Sequence, residues 1–273
     1  MHKSGKQNGE KKEKTPEIGI RSPRVAEIVA GRIRREILTG QLEDGELLPK
    51  EEILRKKYPA SKPTFREAMR ILEAEGLITI KRGNVGGSVV HIPTSSTVAS
   101  TLAMVLSTRK AGIHDVARAL QESEPACAAM CAERDDRHDA VIPILNEIQK
   151  ESLDNVHDLV FSTIISRRFH EALVELCGNQ TLIILVGALE EIWSSHETGW
   201  ASNVSNPEEV TIQEREAAFG AHAQIISLIE EGNSTEVRRV VSEHLKTAQN
   251  YPQIEGSRTI DSTLLRPNYL QFL

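Results

Sequence analysis

Apolar residues recur every three or four positions along most of the chain, a spacing typical of amphipathic helices. Between Ser61 and Gly76 this spacing places four apolar residues on one helix face. They are Phe65, Ala68, Met69 and Leu72. Ser61 suits the N-cap, Gly76 suits the helix end, and Pro63 suits the first turn because its missing N–H has no helical partner there. A helix over 62–75 is therefore predicted.

Two more helices are predicted before this one. Residues 23–39 keep the helical spacing of apolar side chains, and Gly40 is placed to stop the helix. A second, short helix opens at Pro49 and ends by Tyr58, with carboxylates in its first turn that favour the helix dipole. A short helix, a tight turn and the helix at 62–75 together predict a helix-turn-helix.

The polar face of the helix at 62–75 carries cations at regular intervals. Lys62, Arg66 and Arg70 are spaced by four residues and form one basic stripe. Such a stripe on a rigid helix suits a DNA major groove, where cations meet phosphates and arginine reads guanine. The alternative is an ordinary solvated helix, and the neighbouring elements favour DNA binding.

The hydrophobic period changes after Gly76. Residues 77–80 and 88–91 predict two short strands, joined by a glycine-rich turn that contains Lys81 and Arg82. The hairpin is predicted to be a β-wing whose tip touches phosphates or a minor groove. A simple surface hairpin is the alternative.

The rest of the chain has a helical pattern almost throughout, after a short linker at 93–96. Gly178-Asn179 and Gly232-Asn233 separate neighbouring helices. An antiparallel all-α bundle over 97–249 is therefore predicted. Its helices are expected at 97–108, 113–134, 137–152, 155–177, 180–198, 208–231 and 234–249. Residues 250–273 are predicted to be a tail that packs on the bundle or on a second subunit.

Charge is divided unevenly along the chain. The net charge of all 273 residues is −6, yet residues 1–91 carry 19 basic and 13 acidic residues. A basic first third joined to an acidic remainder indicates nucleic-acid binding at one end. Residues 1–20 are polar and lysine-rich and predict a disordered tail. The winged helix-turn-helix domain is then expected at 21–92.

The composition also indicates the cellular compartment of the protein. The sequence has no apolar run near the roughly 18 residues of a membrane span, and its first residues do not resemble a secretory signal. The three cysteines, Cys127, Cys131 and Cys177, lack the CxxC spacing of redox or metal motifs. We expect a cytoplasmic protein in which Cys127 and Cys131 pack in a helix core, with a redox pair as the alternative.

Three of the nine histidines have spacings that suit a shared site. His222 lies ten residues before Gly232 and His244 lies twelve after it, so an antiparallel helix pair brings them level. His170 lies on another predicted helix, shortly before Gly178. Three imidazoles in one bundle core form a metal site with an open position. The alternative is that these histidines are buried or capping residues with a structural role.

Five motifs follow one another over the first domain. They are Ile33–Gly40, Leu48–Glu51, Ser61–Ala68, Leu72–Ile78 and Arg82–Gly87. In order and spacing they resemble the winged helix-turn-helix of GntR-family bacterial transcription regulators.

The resemblance implies DNA contacts from the recognition helix, the start of the preceding helix and the wing. The residues in question are Ser61, Lys62, Thr64, Arg66, Arg70, Lys50, Arg82 and Gly83. The family usually has arginine where this chain has Glu52, which implies a different operator preference.

The predicted bundle resembles the ligand-binding domain of the FadR branch of this family. The resemblance is carried by Phe169-His170, Gly178-Asn179, His222 and His244-Leu245. Many members of that branch hold a divalent metal through one aspartate and three histidines, and the metal helps to bind a carboxylate effector. The resemblance implies zinc, nickel or manganese at His170, His222 and His244, an effector nearby, and a homodimer.

The chain departs from that pattern at two places. The aspartate expected four residues before the first histidine is Ser166. The family's Glu-x-Arg-x-x-x-Glu motif is replaced by Arg118-Ala-Leu120 before Glu124, so the arginine that lies near the effector is missing. Both changes indicate an effector unlike the simple hydroxy- and keto-acids that many relatives sense.

Three hypotheses follow for function. The first is an effector-responsive regulator, with repression as the favoured sign, that binds double-stranded DNA at a palindromic operator as a dimer. The second is a metal-dependent hydrolase in the bundle, tethered to the winged domain, although the sequence offers no His-Glu-x-x-His motif. The third concerns the bundle alone and makes it a metal-free dimerisation module.

Overall fold

The computed structural model describes residues 25–81, 87–203, 210–249, 259–260 and 265, without the side chains of 199–203. Over these residues the chain is mainly helical with one antiparallel two-stranded sheet, which confirms the predicted fold class. The helices are α1 Val25–Leu38, α2 Glu51–Lys57, α3 Lys62–Ala74, α4 Ser95–Thr108, α5 Ile113–Glu133, α6 Arg137–Ala140, α7 Ile142–Asp154, α8 Leu159–Glu175, α9 Gln180–Asn203, α10 Ile212–Glu230 and α11 Ser234–Ala248. The strands are β1 Ile78–Lys81 and β2 Gly87–Val90.

The winged domain has its own hydrophobic core, which joins α1, α2, α3 and the sheet. The predicted apolar face of α3 is buried in it, from Phe65 to Leu72. The Ser61 side chain accepts a hydrogen bond from the backbone N–H of Thr64 at 3.3 Å, which confirms the predicted N-cap. Gly76 ends the helix with a φ of +72°, a conformation that other residues rarely adopt.

The hairpin pairs Ile78 with Val90 and Lys81 with Gly87. The segment before α2 lies along the other edge of β2, because Leu47 forms a bridge with Val89. A single bridge leaves no alternating pattern of apolar and polar residues, so the sequence carries no strand signal here. The predicted wing contacts Arg82 and Gly83 lie outside the described residues.

The second core is formed by helices α4, α5 and α7 to α11. One long helix was predicted at 137–152, and this prediction is wrong because α6 ends at Ala140 and α7 starts at Ile142. Pro143 explains the break, since it has no N–H for the carbonyl four residues earlier and its ring clashes there. The helix predicted from residue 155 begins at Leu159, where the Asp158 side chain accepts the N–H of Phe161 at 2.9 Å.

Within the described residues, the helices lack the combination of length and apolar character that membrane crossing requires.

The two predicted Gly-Asn separators act in the same way. Gly178 and Gly232 end their helices with positive φ. The following asparagines cap the next helices: Asn179 accepts the N–H of Thr181 at 3.1 Å, and Asn233 accepts a backbone N–H at the start of α11. Each pair therefore stops one helix and starts another, which sets the antiparallel order of the bundle.

The C-terminal segment reaches the bundle. Ile260 and Leu265 belong to the bundle core. The N–H of Ile260 donates to the carbonyl of Ala111 at 3.1 Å, and the Ser107 hydroxyl donates to the Ile260 carbonyl at 2.5 Å. The described part of the tail thus packs on its own bundle, at the turn between α4 and α5.

All three cysteines are buried and unpaired in disulfides. The Cys131 thiol donates to the carbonyl of Leu173 at 3.2 Å. Burial raises the pKa of Cys127 and Cys131, the latter to about 12. Because the thiolate is the reactive form, these pKa values support core packing over the alternative of a redox pair.

Candidate DNA-binding face and metal centre

The basic stripe of α3 is exposed while the opposite face of the helix is buried. The side chain of Arg66 is 64% exposed, and its Nε lies 3.8 Å from Oε2 of Glu51 on α2. Arg70 is 76% exposed and lies near Glu67 on its own helix. At these distances and exposures the ion pairs hold the arginines weakly, so both remain able to meet an anion.

The other predicted DNA contacts of the described region lie around the same edge. Lys50 immediately precedes α2 and is exposed, as are Ser61 and Lys62 at the start of α3. Thr64 is half-buried, and its hydroxyl lies 2.7 Å from that of Ser61. Glu52, which replaces the family's arginine, is exposed as well. The described predicted contacts therefore share one surface, formed by α2 and α3.

Three helices of the bundle bring His170, His222 and His244 together. They come from α8, α10 and α11, and ligand atoms of all three, one from each side chain, lie within 4.8 Å of one another. The Nε2 atoms of His222 and His244 are 3.1 Å apart, because the turn at Gly232 makes α10 and α11 antiparallel. This is the juxtaposition that the spacing predicted.

The imidazoles are held rigidly in their neutral form. The ring of His222 stacks on Phe169 at a centroid distance of 4.0 Å, and His170 stacks on His244 at 5.2 Å. Burial lowers the pKa of all three imidazoles, that of His244 to about 3. The neutral imidazole is the form that binds metal ions.

These residues fit a divalent metal. Two nitrogen ligands at 2.0–2.1 Å from one ion in tetrahedral geometry are about 3.4 Å apart, close to the separation of His222 and His244. His170 Nε2 is buried without a hydrogen-bond partner, and an ion at the centre of the group would satisfy it. Ser166 lies one turn before His170 on α8 and is half-buried.

A buried carboxylate lies directly beside the histidines. Glu124 on α5 is fully buried, and its Oε1 is 2.6 Å from Nδ1 of His170. Burial raises the pKa of Glu124 to about 7. Glu190 on α9 faces Glu124, and burial together with the nearby Glu124 carboxylate raises its pKa well above the ordinary value. Both shifts favour the neutral carboxyl, because burial disfavours the charged form and two like charges repel each other in a dry core.

One buried guanidinium balances part of this negative charge. Arg167 on α8 is 2% exposed, and its Nε lies 2.7 Å from Oε2 of Glu197, with Glu190 at 3.8 Å. Arg118 is exposed and Leu120 lies in the core. Arg167 is therefore the arginine of this neighbourhood, whereas the family motif would have placed one on α5.

Glu190, Glu197 and Arg167 are not among the site residues predicted from the sequence. A signal for the glutamates was present in the sequence. Along α9 they fall in register with the buried Val186 and Trp193, at positions where a core helix needs apolar side chains. Charged residues at such positions must find partners, so they indicate a buried polar network.

A winged helix-turn-helix with an exposed basic helix, followed by a helical domain with a buried ligand-type centre, defines a DNA-binding regulator with a sensor domain. Comparison with known families agrees. Residues 25–87 match "Bacterial regulatory proteins, gntR family", and residues 115–247 match the FCD domain. The chain belongs to the GntR family and carries the FadR-type C-terminal domain, which makes it an effector-responsive transcription regulator. Family membership favours the regulator hypothesis over the hydrolase.

Curated relatives include the HTH-type transcriptional repressor NanR of two Salmonella strains. That of Salmonella newport (strain SL254) is 24% identical over 228 residues, covering 82% of this chain and 84% of the relative. That of Salmonella typhimurium (strain LT2) is also 24% identical, with 82% of each chain covered. Among solved structures, Streptococcus agalactiae GntR shares the fold with a TM-score of 0.62 and 21% identity, over 82% of this chain and 98% of that one.

Proposed function

We propose that this chain is a repressor that binds a palindromic operator as a homodimer. The observation that carries the proposal is the exposed basic face of α3 over a buried apolar face. The name of the NanR relatives, which are repressors, supports the sign of regulation. Two chains related by a twofold axis would present their α3 helices to half-sites about one DNA turn apart. The protein acts in the cytoplasm, where this DNA partner lies.

The bundle is proposed to hold a divalent metal, zinc, nickel or manganese, at His170, His222 and His244, with an effector beside it. FCD domains often bind metal ions, and the three buried nitrogens support such a site here. The metal would offer the effector a Lewis-acid contact, while the protein orients the imidazoles and keeps water out. The buried glutamates around the site, Glu124 and Glu190, support an effector other than a simple carboxylate.

Contacts along α9 support a link between this site and the winged domain. Glu190 faces the site, and its neighbour Glu191 accepts a hydrogen bond from the Ser96 hydroxyl at 2.7 Å. Ser96 lies in the first turn of α4, which follows β2 after four residues. A coupling of about 1–3 kcal/mol through such contacts changes DNA affinity by a factor of about 5–150.

The DNA-binding proposal is tested with a DNA duplex selected from a random pool by the wild-type protein. Arg66→Ala is expected to weaken binding by about 1–3 kcal/mol and, if Arg66 contacts phosphate, to reduce the salt slope by about 1. Arg238→Ala, which removes an exposed arginine of α11, is the matched control. Equal affinity of both variants and the wild type, measured by fluorescence anisotropy, would count against the proposed face.

The metal proposal is tested by elemental analysis of the full chain after purification without chelators. Close to one divalent ion per chain is expected for the wild type, and His222→Ala is expected to lose it. No metal in the wild type after incubation with zinc, nickel or manganese would favour the metal-free dimerisation module.

A further inference from the structure

The side chain of Glu124 contacts His170 at Nδ1, one of its two ring nitrogens. Its Oε1 lies 2.6 Å from His170 Nδ1, and both side chains are fully buried. The opposite ring nitrogen, Nε2, is buried and has no hydrogen-bond partner among the residues that the structure describes. A neutral imidazole has one donor and one acceptor nitrogen, so an Nδ1–H that donates to Glu124 leaves the Nε2 lone pair for a metal.

Glu124 does not belong to the ligand group itself. In the described residues, the side chains whose ligand atoms all lie within 4.8 Å of one another are the three histidines, without Glu124. A carboxylate that holds the far nitrogen of a metal-binding histidine fixes its tautomer and ring orientation and raises its basicity. Glu124 has this geometry toward His170.

Its own position is fixed from a third helix. Glu190 of α9 contacts the Glu124 carboxyl, and Arg167 of α8 lies 3.8 Å from Glu190. Turning the Glu124 carboxyl away from His170 would break a buried hydrogen bond that water cannot replace.

We propose that Glu124 is the positioning residue of the metal centre, and that it places a carboxyl group from α5 at Nδ1 of His170, whereas α8 has Ser166 in place of an aspartate. The inference rests on the proposed metal site. In this arrangement the metal has three neutral nitrogen ligands, and the carboxyl of Glu124 contacts one of these ligands instead of the metal.

The test is Zn²⁺ affinity of the full chain, measured by competition with a chromophoric chelator. Glu124→Gln is nearly isosteric and keeps a polar group beside Nδ1, and it is expected to weaken Zn²⁺ binding by about 10–100-fold. Glu171→Gln is the matched control, because Glu171 is adjacent to His170 in sequence but lines a pocket with Ser95 and Glu191 instead. Its Zn²⁺ affinity is expected to equal that of the wild type.

Two further readouts separate positioning from a merely structural role. Cobalt absorption of Glu124→Gln is expected to keep the band positions of the wild type, because the ligand nitrogens are unchanged; a shifted spectrum would make Glu124 a direct ligand and overturn the proposal. Ser166→Asp, added to Glu124→Gln, is expected to recover much of the lost affinity, since residues four apart share a helix face.

The thermal stability of the metal-free wild type and of metal-free Glu124→Gln is also measured, so that a loss of Zn²⁺ affinity can be told apart from a loss of folding. Unaltered Zn²⁺ affinity in Glu124→Gln would overturn the inference while leaving the metal site in place. Failure of the wild type to bind Zn²⁺ would overturn the metal site and the inference together. Operator affinity of the wild type reports separately on the DNA-binding part of the proposed function.

Discussion

Ser61 caps the start of α3 by accepting the N–H of Thr64. Ser61→Ala removes this acceptor and leaves an orphan donor at the helix start. The free energy of unfolding of the winged domain is expected to fall by about 1 kcal/mol. Chemical denaturation without DNA measures it, and Ser61→Asn, which keeps an acceptor, is expected to stay within a few tenths of the wild type. Equal losses in both variants would show that the cap is not the cause.

At the scale of elements, two glycines of the α10–α11 hairpin have opposite roles. Gly232 ends α10 with a φ of +75°, whereas Gly220 lies inside α10 with open space around the position of a Cβ. Gly232→Ala is expected to destabilise the protein by about 1 kcal/mol because of left-handed backbone strain. Gly220→Ala is expected to stabilise it by about 0.5–1 kcal/mol because the unfolded chain loses freedom. Thermal unfolding of the two variants should therefore shift in opposite directions, and shifts of the same sign would contradict this assignment.

At the scale of the whole molecule, the C-terminal segment completes the bundle core. Ile260 is 2% exposed and packs there, although it lies beyond α11 in sequence. Ile260→Ala is expected to lower the free energy of unfolding by about 2–5 kcal/mol, as for other buried large-to-small changes. Thr259→Ala, at the exposed neighbour, is the control and should change stability little. Equal stability of the two variants would mean that the segment does not hold the bundle.

Metal binding is also expected to act on the whole molecule, because its proposed ligands come from three helices. At a free zinc concentration 100 times the Kd, the folded state gains about 2.7 kcal/mol. Thermal unfolding should therefore shift upward with zinc and return with a chelator. In His244→Ala the shift should be strongly reduced, whereas a full shift in that variant would place the ion elsewhere.

The bounds of the helices and the meeting of the three histidines could be predicted from the sequence only in part. Periodicity located α3 within one residue, because its buried face, cap and stop all agree. It failed at 137–152, where the apolar period continues through Pro143 and hides the break. The proximity of His222 and His244 could be predicted from their similar distances to the turn at Gly232, because antiparallel helices place such residues side by side. The position of His170 next to His222 and His244 depends on how α8 packs across α10 and α11. The number of residues between the histidines and the turns does not predict this packing.

Sequence patterns alone predict a winged helix-turn-helix followed by a helical bundle, the basic stripe of α3, and the three histidines that come together. Local patterns suffice for these, because caps, turns and helical faces depend on residues a few positions apart. Which charged groups surround the three histidines depends on the tertiary structure. Glu124, Arg167 and Glu190 come from α5, α8 and α9, and their partners are far apart along the chain. Their pairing follows from the packing of three helices in a dry core, where each buried charge must meet another.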